Sequence, residues 1–263
     1  MIVKAQKGVP QFEVYEFNKK QSDYCLLIPI INEGERIATE LKRAQQAGID
    51  SLCDIIICDG DSTDGCTEQE KLKALGVNTL LIKKDSGKQG AQLRMGIWYA
   101  LDRGYKGVLT IDGNNKDSIE SVPLFIEKLK QDYDFVQGSR YIPGGKAVNT
   151  PLSRHLAVKL IHAPVISRIA GQRFTDTTNA FRAYSSAYLQ HPKVQPLRGI
   201  FVTYELLAYL SVRANQLGLK TCEVPVTRAY PSKGKTPTKI SPIKGNINLL
   251  NILRQLKQGK YNP

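Results

Sequence analysis

The chain has no Cys-x-x-Cys pair, and its 263 residues hold only five cysteines, an odd number. That excludes a cysteine-held metal cluster and argues against a disulfide framework. Cys25, Cys58 and Cys222 lie in apolar, strand-like runs, where a thiol behaves as a small hydrophobe. A reducing, cytoplasmic setting is expected. Residues 1–22 lack the apolar core of a secretory leader. The longest apolar runs, such as residues 25–31, are too short to span a bilayer, so any membrane contact is expected to be peripheral or through a partner. No aromatic–basic interleaving supports nucleic-acid binding. The glycine-rich, lysine-bearing N-terminal loop of nucleotidyltransferases is also missing, as are internal repeats and a clean linker.

Acids are scarce too. Lys and Arg number 37 against 24 Asp and Glu, a formal charge of +13. A surface of this sign attracts polyanions: nucleic acid, an anionic membrane face or phosphate-rich substrates. The imbalance is strongest after Gly218. There Lys220, Arg228, Lys233, Lys235, Lys239, Lys244, Arg254, Lys257 and Lys260 face a single acid, Glu223.

What is present is alternation. Apolar runs at 24–31, 54–58, 77–83, 107–112 and 135–139 read as buried strands. Helix-period segments at 35–47, 67–75, 90–103 and 121–131 lie between them, three of them followed by Gly48, Gly76 and Gly104. This order predicts an α/β fold, a mostly parallel sheet with helices on both faces. Ligands then belong outside the carboxyl ends of the strands. The second half is less regular. Residues 152–170 read as a helix broken at Pro164, 179–184 as a short strand, 203–217 as a helix, 221–227 as a strand, and 247–256 as a helix packed on the domain. Residues 231–242, rich in Lys, Pro, Ser and Thr, read as a mobile loop. The expected organisation is one domain over 22–230 with a basic loop and helix over 231–263.

Three polar clusters follow strands. In residues 28–37 (IPIINEGERI), Pro29, Asn32 and Glu33 stand where a strand passes into a helix, whose N-terminus favours phosphate. Taken alone, this also reads as a strand end with a helix cap. In residues 58–65 (CDGDSTDG), Asp59 and Asp61 can accept from a base N–H or from ribose hydroxyls; otherwise the stretch is an Asx-rich turn with Asp64 as a cap. In residues 109–117 (LTIDGNNKD), a hydrophobic strand delivers Asp112 to the sheet edge, where a carboxylate can hold a divalent cation against a diphosphate.

In order and spacing these segments resemble the family-2 glycosyltransferases of the GT-A (Rossmann-like) fold, most of all the dolichol- or polyprenyl-phosphate mannose synthase branch. The resemblance covers about residues 24–240. Its further segments are GKQGAQLRMG at 87–96, GSRYIPGG at 138–145, DTTNAFRAY at 176–184, EVPVT at 223–227 and TKI at 238–240. It implies inverting transfer from a nucleotide-diphosphate sugar. Donor contacts would come from Pro29, Asn32, Glu33, Asp59, Asp61, Lys88, Arg94, Asp112 and Asn114. Asp112 and Asn114 would sit at the metal, Mg²⁺ or Mn²⁺. Arg140 and Arg182 would face phosphates, to which arginine binds through two N–H groups. The sequence departs from the family pattern at Ile31, Asn114, Lys116 and 179–180. Asn114 in place of a carboxylate, with Lys116 nearby, predicts a weakly held cation. A polyprenyl-phosphate acceptor is already ionised and needs no base. A sugar hydroxyl does, and Asp176 is then the candidate. An anionic membrane surface is the expected further partner in the first case. A nucleotide-binding scaffold without catalysis is the alternative from another class.

Overall fold

Successive side chains of a strand point to opposite faces of a sheet. Here both parities are apolar. Cys25 and Leu27 join one buried cluster, while Leu26, Ile28 and Ile30 join another. Ile56 and Cys58 divide from Ile55 and Ile57 in the same way. A sheet apolar on both sides must be covered on both sides.

The computed structural model describes residues 1–232 and 244–263. Lys233, Lys235, Lys239, most of the stretch read as a mobile loop, and the 238–240 segment lie outside the described residues. The strands are β1 (Ile2–Val3), β2 (Phe12–Glu16), β3 (Tyr24–Ile30), β4 (Asp54–Asp59), β5 (Val77–Lys83), β6 (Gly107–Thr110), β7 (Phe135–Ser139), β8 (Lys146–Val148), β9 (Arg182–Ser185), β10 (Thr221–Pro225) and β11 (Thr227–Ala229). The helices are α1 (Glu35–Gln46), α2 (Gln69–Ala74), α3 (Gln89–Asp102), α4 (Val122–Lys130), α5 (Leu152–Ala157), α6 (Ala163–Ala170), α7 (Ser186–Gln190), α8 (Glu205–Gln216) and α9 (Lys244–Lys257).

Among the described residues, nine strands form one sheet in the order β1-β2-β5-β4-β3-β6-β9-β7-β10, and β11 pairs with β8 in a second, small sheet. The expected parallel sheet holds in the block β5-β4-β3-β6 and in the β7–β10 pair. The rest is antiparallel: β9 inserts between β6 and β7, and β2 lies on the outer side of β5. The sheet is therefore mixed. Residues 1–22, which carry no strand or helix in the sequence reading, add β1 and β2 at one side of the sheet. The single strand expected over 221–227 is split at Val226, so that β11 can turn away and pair with β8.

Gly48 and Gly171, both at positive φ, follow α1 and α6 as left-handed helix stops. The break at Pro164 takes the form of a π-helical turn, Val158–His162, between α5 and α6. Proline has no N–H for the carbonyl four residues back, and a wider turn absorbs the lost bond. The C-terminal helix α9 is packed into the domain, with Ile252, Leu253 and Leu256 in the same apolar cluster as α3 and α8.

Candidate functional site

The order of the central strands reverses between β3 and β6, so a crevice opens beyond their carboxyl ends. Pro29 helps to open it. The carbonyl of Leu27 accepts from Ile111, and the next rung of a parallel ladder would run from residue 29 to the carbonyl of Ile111. Proline has no N–H to give, and the β3–β6 ladder ends at Leu27 and Thr110. Asp112 lies just past that point.

Two loops are laced together on one side of the crevice. The Asn32 side chain accepts from the Thr63 N–H at 2.8 Å, and the Asn32 N–H donates to the Ser62 hydroxyl at 2.9 Å. Asp64 accepts from the Gly34 N–H at 2.8 Å. Asp59, at the end of β4, accepts from the N–H groups of Asp61 and Ser62 at 2.8 Å each and from the Ser62 hydroxyl. Burial raises its pKa, opposed by these bonds. Asp61 reaches outward, and Lys84 donates to it at 2.9 Å. Glu33 accepts from Arg36 at 2.9 Å.

Helix α3 ties this corner to Asp112. Gln92 donates to the carbonyls of Ile30 and Cys58 at 2.6 and 2.8 Å, and Gln89, three residues earlier on the same helix face, donates to Asp112 Oδ1 at 3.1 Å. The N-terminus of α3, with exposed Lys88 as its first flanking residue, thus borders the Asp112 carboxylate.

On its other oxygen Asp112 is held by Arg228, whose Nη2 donates to Oδ2 at 3.0 Å. Arg228 also pairs with Asp117, buried beneath it. The backbone sets this up: Ser118 N–H donates to Thr227 O and Ala229 N–H to Lys116 O, zipping residues 116–118 along β11. Lys116 is 5% exposed and turns inward, its ammonium 5.2 Å from the centre of the Tyr230 ring. Arg228 and Arg154 lie over the same ring at 5.8 and 5.6 Å. Burial would raise the Asp112 carboxyl, but the charges of Arg228 and Lys116 outweigh it and hold the group below its ordinary range. Burial pushes Asp117 up to about 6 despite Arg228. The Lys116 ammonium is pushed down by burial and by the Arg228 charge. Glu40, buried under the loop, accepts from Asn115 N–H at 2.7 Å, and burial drives its pKa well above the carboxylate range.

Residues 25–194 match the model of glycosyl transferase family 2. The chain belongs to that family. It is 29% identical over 204 residues to an undecaprenyl-phosphate mannosyltransferase of Micrococcus luteus, covering 76% of this chain and 81% of that one. It is 26% identical over 206 residues to a polyprenol monophosphomannose synthase of Mycolicibacterium smegmatis, covering 77% and 76%. Among solved structures it resembles the glucosyl-3-phosphoglycerate synthase of Mycobacterium tuberculosis, crystallised with Mn²⁺, UDP and glucosyl-3-phosphoglycerate. The TM-score is 0.62 at 16% identity, over 90% of this chain and 79% of that one. The fold is of the GT-A type, with an added helical region.

For a family-2 glycosyltransferase the residues at Asp112 fit a cation only loosely. No group of three His, Cys, Asp or Glu side chains that could hold a metal occurs among the described residues. Asn114 donates to Asp112 Oδ2 at 3.4 Å, while its Oδ1 is buried with no partner. Asp112 and that amide oxygen could meet a cation, which would neutralise the diphosphate. Affinity for hard cations follows ligand charge, and one carboxylate is little.

Four residues read from the sequence as site groups have their side chains engaged by other protein groups. Arg182 is 2% exposed and donates to the carbonyls of Thr177, Asn179 and Leu207 and to the Ser211 hydroxyl, so it braces β9 against α8. Arg94 gives its guanidinium to the carbonyls of Phe201 and Gly8, anchoring the N-terminal segment. Asp176 and Arg140 are closed on each other by two bonds, at 2.6 and 2.9 Å, with Asp176 fully buried. Asp176 also accepts from the Arg140 and Thr178 N–H groups. So enclosed, the carboxylate braces two loops against each other. Conversely, Gln89, Gln92, Asp117 and Tyr230 were not singled out, and Arg228 appeared only within a basic count. Their signal is long-range pairing, which one sequence does not display.

Proposed function

We propose that the chain transfers a sugar from a nucleotide-diphosphate sugar to a polyprenyl phosphate, with inversion. The observation that carries this is the trio of cationic side chains, Arg228, Lys116 and Arg154, gathered on Tyr230 beside Asp112. Such a cluster suits two phosphate groups at once, the donor diphosphate and an ionised acceptor. A phosphate oxygen attacks without losing a proton, so the enclosure of Asp176 costs this reaction nothing. Catalysis then rests on positioning and on stabilising the departing nucleoside diphosphate. Asp59 and Asp61, with Asn32 and Glu33, border the place for base and ribose. Lys88 and the N-terminus of α3 face the diphosphate. Asp112 and Asn114 would hold a divalent cation together with the donor phosphates, and it would neutralise charge on the leaving diphosphate. The named activities of the Micrococcus and Mycolicibacterium relatives support a lipid-phosphate acceptor. The working location is the cytoplasmic side of a membrane, on its surface.

The test is a matrix of labelled UDP, GDP, CDP and dTDP sugars against undecaprenyl phosphate and against soluble sugars. Label moving into an organic-extractable, mild-acid-labile product supports the reading. Transfer only to a soluble sugar hydroxyl overturns it.

A further inference from the structure

Residues 135–175 contain no Asp or Glu, but six Lys or Arg: Arg140, Lys146, Arg154, Lys159, Arg168 and Arg173. The helix formed by α5, the π turn and α6 occupies nearly half of this acid-free stretch. Its inner face is satisfied, with Val158, Ala163, Ile166 and Ala170 buried. Its outer face is apolar and open. Leu152 is 71% exposed, Leu156 45%, Leu160 70% and Ile161 41%. The three leucines stand four residues apart, one above the other on the helix. Val148, on the strand just before, adds another exposed apolar side chain, and Lys146, Lys159 and Arg168 are exposed nearby. Apolar side chains clustered in a basic rim describe a helix that lies in the surface of an anionic bilayer.

The position agrees. The helix starts beside the cationic cluster: Asn149 donates to Tyr230 O at 3.2 Å, and Arg154 donates to the Tyr230 hydroxyl at 3.3 Å. Tyr230 in turn carries Lys116 and Arg228, the side chains beside Asp112. A second copy of the chain is a poorer occupant, because it would set one acid-free face against another.

We propose that Leu152, Leu156, Leu160 and Ile161 dock this helix on an anionic lipid bilayer, bringing the cationic cluster on Tyr230 to the headgroup level. This rests on the polyprenyl-phosphate reading for its purpose, but not for its test. The full chain is sedimented with phosphatidylcholine vesicles, with and without phosphatidylglycerol. Binding is expected only with the anionic lipid and should weaken as salt rises. The triple variant Leu152→Gln, Leu156→Gln, Leu160→Gln should bind at least about tenfold more weakly, with an unchanged melting temperature, because these side chains are exposed. In a separate Leu160→Trp variant, tryptophan emission should shift to the blue on adding anionic vesicles. As a control, Ile247→Gln with Leu250→Gln on α9, also exposed, should leave binding within about twofold of wild type.

Failure of the wild-type chain to bind anionic vesicles overturns the proposal. So does undiminished binding by the triple variant, binding lost through the α9 control instead, or a dimer in solution that the triple variant abolishes without any vesicle binding. Vesicle binding without transfer to polyprenyl phosphate would sink the functional reading and leave the docking surface standing. Transfer without vesicle binding would do the reverse.

Discussion

The enclosure of Asp176 makes a prediction that separates a brace from a base. Asp176→Asn keeps the shape and removes the charge. Arg140 is then left with its side chain 3% exposed and no counter-charge. Breaking one side of a buried ion pair costs about 3–5 kcal/mol. For a chain of this size that lowers the melting temperature by on the order of 10 °C. The loss should be largely recovered when Arg140 is replaced as well, for example by Met, because no unpaired charge then remains. Stability would be read from urea midpoints in the four corners of the double-mutant cycle. Transfer would be measured at a temperature where every variant is folded. A structural brace predicts a large coupling energy, with kcat reduced only as far as the loops it holds are displaced. A general base predicts the opposite pattern: stability within about 0.5 kcal/mol of wild type and a kcat loss of about 10²–10⁴ that the Arg140 change does not restore. That second pattern would refute the assignment of Asp176 to the scaffold.

Three further outcomes are expected. Asp112→Asn should abolish transfer while the protein melts within a few degrees of wild type; ordinary turnover in a folded variant would remove Asp112 from the site. Mn²⁺ titrated calorimetrically into the donor-free chain should bind weakly, and more tightly once the nucleoside diphosphate is present, because the Asp112 carboxylate is already paired with Arg228 and its neighbour Asn114 adds no charge; tight binding without nucleotide contradicts this. Glu40→Gln should stabilise the protein increasingly as pH rises above the ordinary glutamate value. The folded pKa of Glu40 is raised, so the wild type loses stability as pH climbs from the unfolded toward the folded pKa, and Gln does not. A pH-independent difference between the two proteins would show that Glu40 does not stay protonated.

Local pattern was enough for the first half of the chain. Strand β5 falls at 77–83 and β7 at 135–139, as the apolar runs predict, because turns and glycines punctuate those runs within a few residues. The same logic places Asp59 and Asp112 at strand ends, since a carboxylate just past a buried strand has only the sheet edge to occupy. The N-terminal strands β1 and β2 escaped it. Phe12–Glu16 is short and carries Glu13 and Glu16, so its strand character appears only when β5 offers a partner.

Tertiary structure alone decided what Asp112 and Asp176 touch. Arg228 lies 116 residues beyond Asp112 in the chain and meets it because β11 leaves the main sheet to pair with β8 and with residues 116–118. Asp176 was legible as a polar residue in a turn, but its role depends on Arg140, 36 residues away, arriving with two N–H groups and closing it off. Periodicity is a property of neighbours in sequence, and it fixes which residues reach an edge or a face. Which charges meet there depends on how separate segments cross, and burial then makes each such meeting strong enough to set a group's charge and its function.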